Sequence, residues 1–247
     1  MDNSNELILS IKNVSKAFPG VQALSDVSVD FKRGTVHGVV GENGAGKSTI
    51  MKILSGVHKK DEGTIIFDGN VIKNTTPIQS IKMGLSIIYQ EFNLVNTLTV
   101  GENIFLGRYS EMKGLGNSHK EARRLLDSIG STIDTHRLVG DLSAAEKQMV
   151  EITKALSFNS KLIIMDEPSS SLTADELKRL FSIIGDLKEK GVTIIYISHK
   201  LDEIFQLCDV VTVIRDGKII DTKPVEGMTR NEMIADMIGR EIENEYP

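Results

Sequence analysis

The stretch Gly41-Glu42-Asn43-Gly44-Ala45-Gly46-Lys47-Ser48-Thr49 follows an apolar run, Thr35-Val36-His37-Gly38-Val39-Val40. It precedes Ile50-Met51-Lys52-Ile53-Leu54, which favours a helix. Strand, glycine-rich turn and helix in that order are what a phosphate cradle needs. The pattern G-x-x-x-x-G-K-[ST] marks a P-loop. Glycines tolerate unusual dihedrals and let a phosphate approach closely, so the N–H groups of Gly44, Ala45 and Gly46 are expected to point inward. The helix starting near Lys47 adds its positive end. In this reading Lys47 reaches the β and γ phosphates of a nucleotide, and the Ser48 hydroxyl ligates Mg²⁺. The competing reading is a glycine-rich turn with a solvated lysine.

Outward from the loop, short β-branched runs alternate with segments of helical period, the pattern of an α/β protein with a mainly parallel sheet. Segments 35–40, 85–89, 161–165 and 192–198 read as buried strands. Segments 7–18, 23–31 and 63–67 alternate in polarity and read as antiparallel strands, the last before the turn Asp68-Gly69. Asp216-Gly217 is a second hairpin signal. The expectation is a P-loop NTPase core over about 1–92 and 161–240, with a small antiparallel β subdomain beside it. An α-helical subdomain is expected as an insertion at about 93–160, containing a polar loop at 110–118. A last helix is expected from about Asn231 to Ile238 with Thr229 as its cap, and 241–247 as the start of a linker.

With 247 residues, 40% of them hydrophobic, the chain can bury a sizeable core. A net charge of −5, no Trp and 5% aromatics argue against a broad nucleic-acid surface. No apolar run is long enough to span a bilayer and the N-terminus lacks the features of a signal peptide, so a cytoplasmic location without direct membrane insertion is expected. The single cysteine, Cys208, reads as a small buried side chain.

A second signal is Lys161-Leu162-Ile163-Ile164-Met165-Asp166-Glu167-Pro168, a hydrophobic strand ending in two carboxylates. Asp166 is suited to hold Mg²⁺, directly or through water, and Glu167 to polarise a water for in-line attack. The competing reading is a solvated strand terminus. His199, after the strand at 192–198, would emerge on the same edge and contact the γ phosphate or orient the water; alone it reads equally as a cap or surface histidine. Gln90, after the strand at 85–89, has an amide suited to Mg²⁺ or water, or is an ordinary loop glutamine.

Taken in order, the P-loop, Gln90, Leu142-Ser143-Ala144-Ala145-Glu146-Lys147-Gln148, Asp166-Glu167-Pro168, Ser170-Ser171-Leu172-Thr173 and His199 make the chain resemble the ATP-binding cassette ATPases. The resemblance implies Mg·ATP as cofactor, Gln90 as the loop glutamine facing membrane subunits, and 142–148 as the signature segment with Ser143 near nucleotide. It also implies that 170–173 touches an opposite cassette and that Phe18 stacks on adenine, where simple core packing is the alternative. Within the family, Phe18-Pro19-Gly20-Val21-Gln22-Ala23-Leu24, Gln90-Glu91-Phe92-Asn93-Leu94-Val95, 98–108 and 148–152 look like the first cassette of bacterial monosaccharide importers. That likeness implies a second cassette, in the same full-length chain, and transmembrane permease subunits as partners, with no sugar bound here. The departure is in the signature: most cassettes carry LSGGQ, whereas Ala144, Ala145 and Glu146 stand here. The added methyl groups and negative charge are expected to weaken anion binding and leave one competent ATP site of two. Other cargoes, namely branched-chain amino acids, nucleosides or a signalling sugar, fit the same cassette. A soluble role in translation or DNA repair is opposed by the acidic balance, and a GTPase by the lack of Asn-Lys-x-Asp.

Overall fold

The computed structural model describes residues 6–108 and 115–239. The 241–247 linker segment lies outside the described residues, as do residues 110–114 of the loop expected at 110–118. Two sheets make the frame. The first runs β2(Val21–Lys32), β1(Leu7–Phe18), β4(Glu62–Phe67), β5(Asn70–Ile72), with every neighbouring pair antiparallel. The second has six strands ordered β10(Lys218–Pro224), β9(Val210–Arg215), β3(Val36–Val40), β8(Thr193–Ile197), β7(Leu162–Asp166), β6(Leu85–Ile88). All its pairings are parallel except β10 on β9.

Burial explains the strand sequences. β3 and β8 are buried at every residue, as continuous apolar runs covered on both faces should be, while β2 alternates towards its end. Both Asp-Gly turns are hairpins with positive φ at both residues, 50° and 76° at Asp68-Gly69 and 50° and 73° at Asp216-Gly217. They serve different sheets: the Asp216-Gly217 hairpin gives the six-stranded sheet its antiparallel edge and does not join the smaller sheet.

One core lies between the two sheets around α1(Lys47–Leu54), gathering Leu9, Phe31, Met51, Leu54, Phe67, Ile164 and Ile197. A second lies on the far face of the six-stranded sheet under α6(Ala174–Glu189), α7(Leu201–Leu207) and α8(Arg230–Ile238). Cys208 is buried there, with burial pushing its thiol pKa up. α2(Pro77–Met83) precedes β6. Between β6 and β7 the described chain folds as α3(Val100–Ile104), α4(Leu115–Ser128) and α5(Ala144–Leu156) around their own cluster of Val100, Ile104, Phe105, Ala122, Leu126 and Val150.

The loop expected over 110–118 is helical at 115–118, where α4 has already begun. The glycines that suggested a loop are overridden by packing: a Cβ on Gly101 of α3 would lie 2.5 Å from His119 Nδ1, so α4's first described turns sit tightly on α3.

Candidate functional site

Because β3, β8, β7 and β6 run parallel, their C-terminal ends share one edge, and the segments that follow them meet there. A cavity of about 190 Å³ on this edge is lined by Asn43, Gly44, Gly46, Lys47, Ser48, Thr49, Gln90, Asp166 and Glu167. Three separate segments of sequence, at the ends of β3, β6 and β7, therefore converge on one small space.

The loop after β3 owes its shape to close packing beneath it. A Cβ on Gly46, at φ 110°, would meet Leu24 Cδ2 at 2.8 Å and Ala23 O at 2.9 Å. A Cβ on Gly41 would lie 2.1 Å from Ile214 O. Gly44, at φ 85°, has nothing within 4 Å of that position, so its backbone borders open space. The expectation of three inward N–H groups needs one correction. Ala45 N–H donates to Glu42 O at 3.1 Å, its carbonyl accepts from Gly217 N, and its methyl is buried in the core. A tight turn from Glu42 consumes this donor, and Ala45 does not line the cavity.

Lys47 opens α1 and is only 7% exposed. Its Nζ donates to Gly41 O at 2.7 Å and Glu42 O at 2.9 Å. Burial holds its pKa below the usual lysine value, against the attraction of Glu167 and Asp166. Asp166 is pushed the other way: burial and the neighbouring Glu167 raise its carboxyl above the ordinary range. A buried cation facing two neighbouring carboxylates is suited to balance added phosphate and metal charges.

Glu167 sits at φ 47°, rare for a residue with a long side chain. Its N–H donates to Ile197 O at 3.0 Å, and His199 Nδ1 donates to its Oε1 at 3.0 Å. His199 is thus paired with Glu167, although it does not itself line the cavity. Beyond Glu167, Ser170 N donates to Glu167 O and Thr173 caps α6, so 170–173 forms a short bridge to that helix.

Phe18 and Ser143 stand apart from the cavity lining. Phe18 ends β1, is 37% exposed, and packs edge-on against His58 with ring centroids 5.2 Å apart, which removes the core-packing alternative. Ser143 caps α5: its Oγ accepts from Glu146 N at 3.2 Å, and Glu146 Oε2 accepts from Ser143 N at 2.8 Å. Arg137 Nη1 donates to Glu146 Oε1 at 2.6 Å.

Two buried carboxylates beside these segments escaped the reading of the sequence. Glu151 of α5 accepts from Asn93 N at 2.7 Å while Lys154 Nζ donates to Asn93 O at 3.0 Å, tying α5 to the loop after Gln90. Burial raises the Glu151 pKa. Glu203 of α7 accepts from Ser169, Tyr196 and Ser198. The only sequence signal for either was an acid on the apolar face of a short helix.

Comparison with known proteins agrees with this geometry. A family model described as ABC transporter matches residues 24–170. The galactose/methyl galactoside import ATP-binding protein of Escherichia coli K12 is 45% identical over 99% of this chain and 49% of its own length. A putative ribose/galactose/methyl galactoside import ATP-binding protein of Geobacillus kaustophilus is 50% identical over 97% of this chain and 48% of its own. The chain spans about half the length of the curated relatives it matches. Among solved structures, a nucleotide-free ATP-binding cassette from an ABC transporter superposes with TM-score 0.81 at 28% identity, covering 95% of this chain and 96% of that one. The ADP conformation of another such cassette gives 0.83 at 28% identity, over 94% and 97%. With a family match over more than half its length and a cassette fold throughout, the chain belongs to the ABC transporter family.

Proposed function

We propose that this chain is a nucleotide-binding cassette that binds Mg·ATP, closes against a second cassette and hydrolyses ATP to drive a sugar-import permease. The observation that carries the ATPase reading is the convergence of Lys47, Ser48, Gln90, Asp166 and Glu167 on one cavity. Sugar import as the purpose rests on the 45% and 50% identity to import ATP-binding proteins for galactose, methyl galactoside and ribose. Among the described residues no helix is long and apolar enough to cross a membrane; permease subunits that hold the cassette at the cytoplasmic face are inferred from its likeness to import ATP-binding proteins.

The donor set fits Mg²⁺, which prefers oxygen: the Ser48 hydroxyl, the Gln90 amide oxygen and the Asp166 carboxylate line the same space. Bound with ATP, Mg²⁺ supplies neutralisation of charge on the β and γ phosphates. Lys47 exchanges its two carbonyl partners for phosphate oxygens, and the loop from Gly41 to Thr49 surrounds the phosphates. Phe18, half-exposed beside His58, offers its ring to adenine. Glu167, with Oε1 engaged by His199, uses Oε2 to accept a hydrogen bond from water and orient it for in-line attack. His199, paired through Nδ1 with Glu167, contacts the γ phosphate through Nε2 when that nitrogen also carries a proton to donate. Ser143 belongs to the composite site of the opposite cassette. The closed capping box and carboxylate at its helix start support one competent site, formed by this P-loop and a partner's signature.

Glu167→Gln tests this reading. Mg·ATP affinity is expected to stay within about two-fold while phosphate release falls by about 10²-fold or more. An unchanged rate removes Glu167 from the base role. Fast turnover by a verified monomer, independent of concentration, overturns the composite-site reading.

A further inference from the structure

Behind the Glu167–His199 pair lies a buried carboxylate that the chemistry above does not use. Glu203, in the first turn of α7, is 3% exposed. Its two oxygens collect three hydroxyl donors. Ser169 Oγ reaches Oε1 at 2.6 Å and Oε2 at 2.8 Å, Tyr196 Oη reaches Oε2 at 2.7 Å, and Ser198 Oγ reaches Oε2 at 3.0 Å. Lys200 Nζ adds an ion pair with Oε1 at 3.3 Å and donates to Ser169 O at 3.3 Å. Burial alone would raise the Glu203 pKa; the hydrogen bonds from Ser169, Tyr196 and Ser198, with Lys200, outweigh it and the net shift is down. The group is therefore a carboxylate, and breaking its bonds leaves a buried charge unsatisfied.

The donors come from the places that aim the site. Ser169 is two residues beyond Glu167, Ser198 immediately precedes His199, and Tyr196 lies within β8. Glu167 itself holds a left-handed backbone conformation at φ 47°. Such a conformation persists in a residue of this type only where its surroundings impose it. On one side the restraint is the Glu167 N–H bond to Ile197 O; on the other, the chain is held two residues later through Ser169.

We propose that Glu203 is a positioning residue for hydrolysis: by clamping Ser169 and Ser198 onto one carboxylate it sets the alignment of Glu167 with His199. The inference rests on the ATPase reading. Glutamine at 203 keeps the volume and so opens no cavity, but it replaces one acceptor oxygen with a donor. If its oxygen stays with Tyr196 and Ser198, its NH₂ faces the Lys200 ammonium and the Ser169 side lets go. The loop carrying Glu167 is released while the nucleotide pocket, on the other side of Glu167, is left whole.

The test measures release of labelled phosphate from γ-labelled Mg·ATP by the full chain, with nucleotide affinity measured separately. For Glu203→Gln, kcat is expected to fall about ten-fold or more with ATP affinity within about two-fold of wild type. In the double variant Glu203→Gln with His199→Ala, kcat is expected to match His199→Ala alone within about two-fold, because a misaligned pair has little left to lose. Glu203→Asp, which keeps the charge, is expected to recover part of the rate. A Glu203→Gln kcat equal to wild type overturns the proposal. Losses that multiply in the double variant, or weaken ATP binding in parallel, mark a general role in stability and overturn it too. Should Glu203→Gln fail to fold, Ser169→Ala carries the same expectation, a lower kcat at unchanged affinity, and an unchanged kcat there overturns the proposal. Absence of phosphate release from the wild-type chain even when it is supplied with a second cassette carrying an intact LSGGQ segment would defeat the ATPase reading and this inference with it, whereas wild-type turnover in that pairing that Glu203 substitutions leave untouched defeats the inference alone.

Discussion

Two helix starts in this molecule, α1 at Lys47 and α5 at Ala144, have opposite fates although both follow glycine- or alanine-bearing loops tied to nucleotide chemistry in the family. α1 is entered through Gly46, with no side-chain cap and no acid in its first turn. α5 is entered through Ser143, with a closed capping box and Glu146 paired to Arg137. In this respect α5 begins as α2, α3, α6 and α8 do, each with a capping box formed by a threonine and a glutamate or glutamine three residues on. A helix whose first N–H groups are answered by its own side chains gains about 1 kcal/mol of stability and loses capacity for an outside anion. The open start at α1 gives up that cap and keeps the capacity. The P-loop and, in the proposed reading, the altered signature thus represent two uses of the same orphan donors.

Lys47→Ala breaks the contrast at its stronger end. Phosphate release is expected to fall about 10³-fold, as for loss of a group that meets developing charge. The melting temperature should hold or rise, because the substitution removes a buried ammonium whose desolvation already lowers its pKa. A large fall in melting temperature would mean that the lysine is chiefly a strut for Gly41 and Glu42.

Gly46→Ala attacks the same end through shape. The new methyl group would stand 2.8 Å from Leu24 Cδ2 and 2.9 Å from Ala23 O, on a backbone at φ 110°. A cost of about 3 kcal/mol, combining left-handed strain and overpacking, is expected in denaturant unfolding. Unfolding at the wild-type midpoint would show that the loop can move off β2 without penalty, and the cradle would then not be preorganised.

Restoring the signature reverses the weaker end. With Ala144→Gly, Ala145→Gly and Glu146→Gln together, two copies of the chain could each offer the other both a P-loop and an LSGGQ segment. ATP-dependent self-association and a turnover about ten-fold above wild type, rising with protein concentration, are expected in sedimentation and phosphate-release measurements. No gain in either would place the asymmetry elsewhere than in these three residues.

How far the sequence reveals these differences depends on the distance over which each is decided. Lys47, Ser48 and the strand that ends in Asp166 are legible because strand, turn and helix are set by neighbours a few residues apart. The left-handed Asp-Gly hairpins are legible for the same reason. Ala45 N–H turning back to Glu42 depends on the particular path of the loop, and the motif pattern does not specify it. The beginning of α4 depends on Gly101 admitting His119, a contact between two helices. Glu203 and Glu151 are least legible, since their partners Ser169 and Asn93 lie 34 and 58 residues away along the chain. A lone acid in a helix carries no mark of a partner brought in by tertiary folding.

The smallest effect tests whether the signature end is truly self-satisfied. At neutral pH Glu146→Ala removes the reciprocal cap and the Arg137 pair, and a loss of about 1 kcal/mol is expected from denaturant unfolding. Burial pulls the Glu146 pKa up, but the bonds from Ser143 N–H and Arg137 dominate and hold it below 4.5 in the folded protein. A depressed folded pKa means that the contribution is present above the unfolded value and lost as pH falls through the folded one. The gap between wild type and Glu146→Ala should therefore be constant from pH 7 to about 5 and narrow below about 4.5, where wild type takes up the proton that dissolves the carboxylate's bonds. A gap that persists unchanged in acid would assign Glu146's contribution to packing on α5. The contrast between an open and a closed helix start would then rest on shape, with charge playing no part.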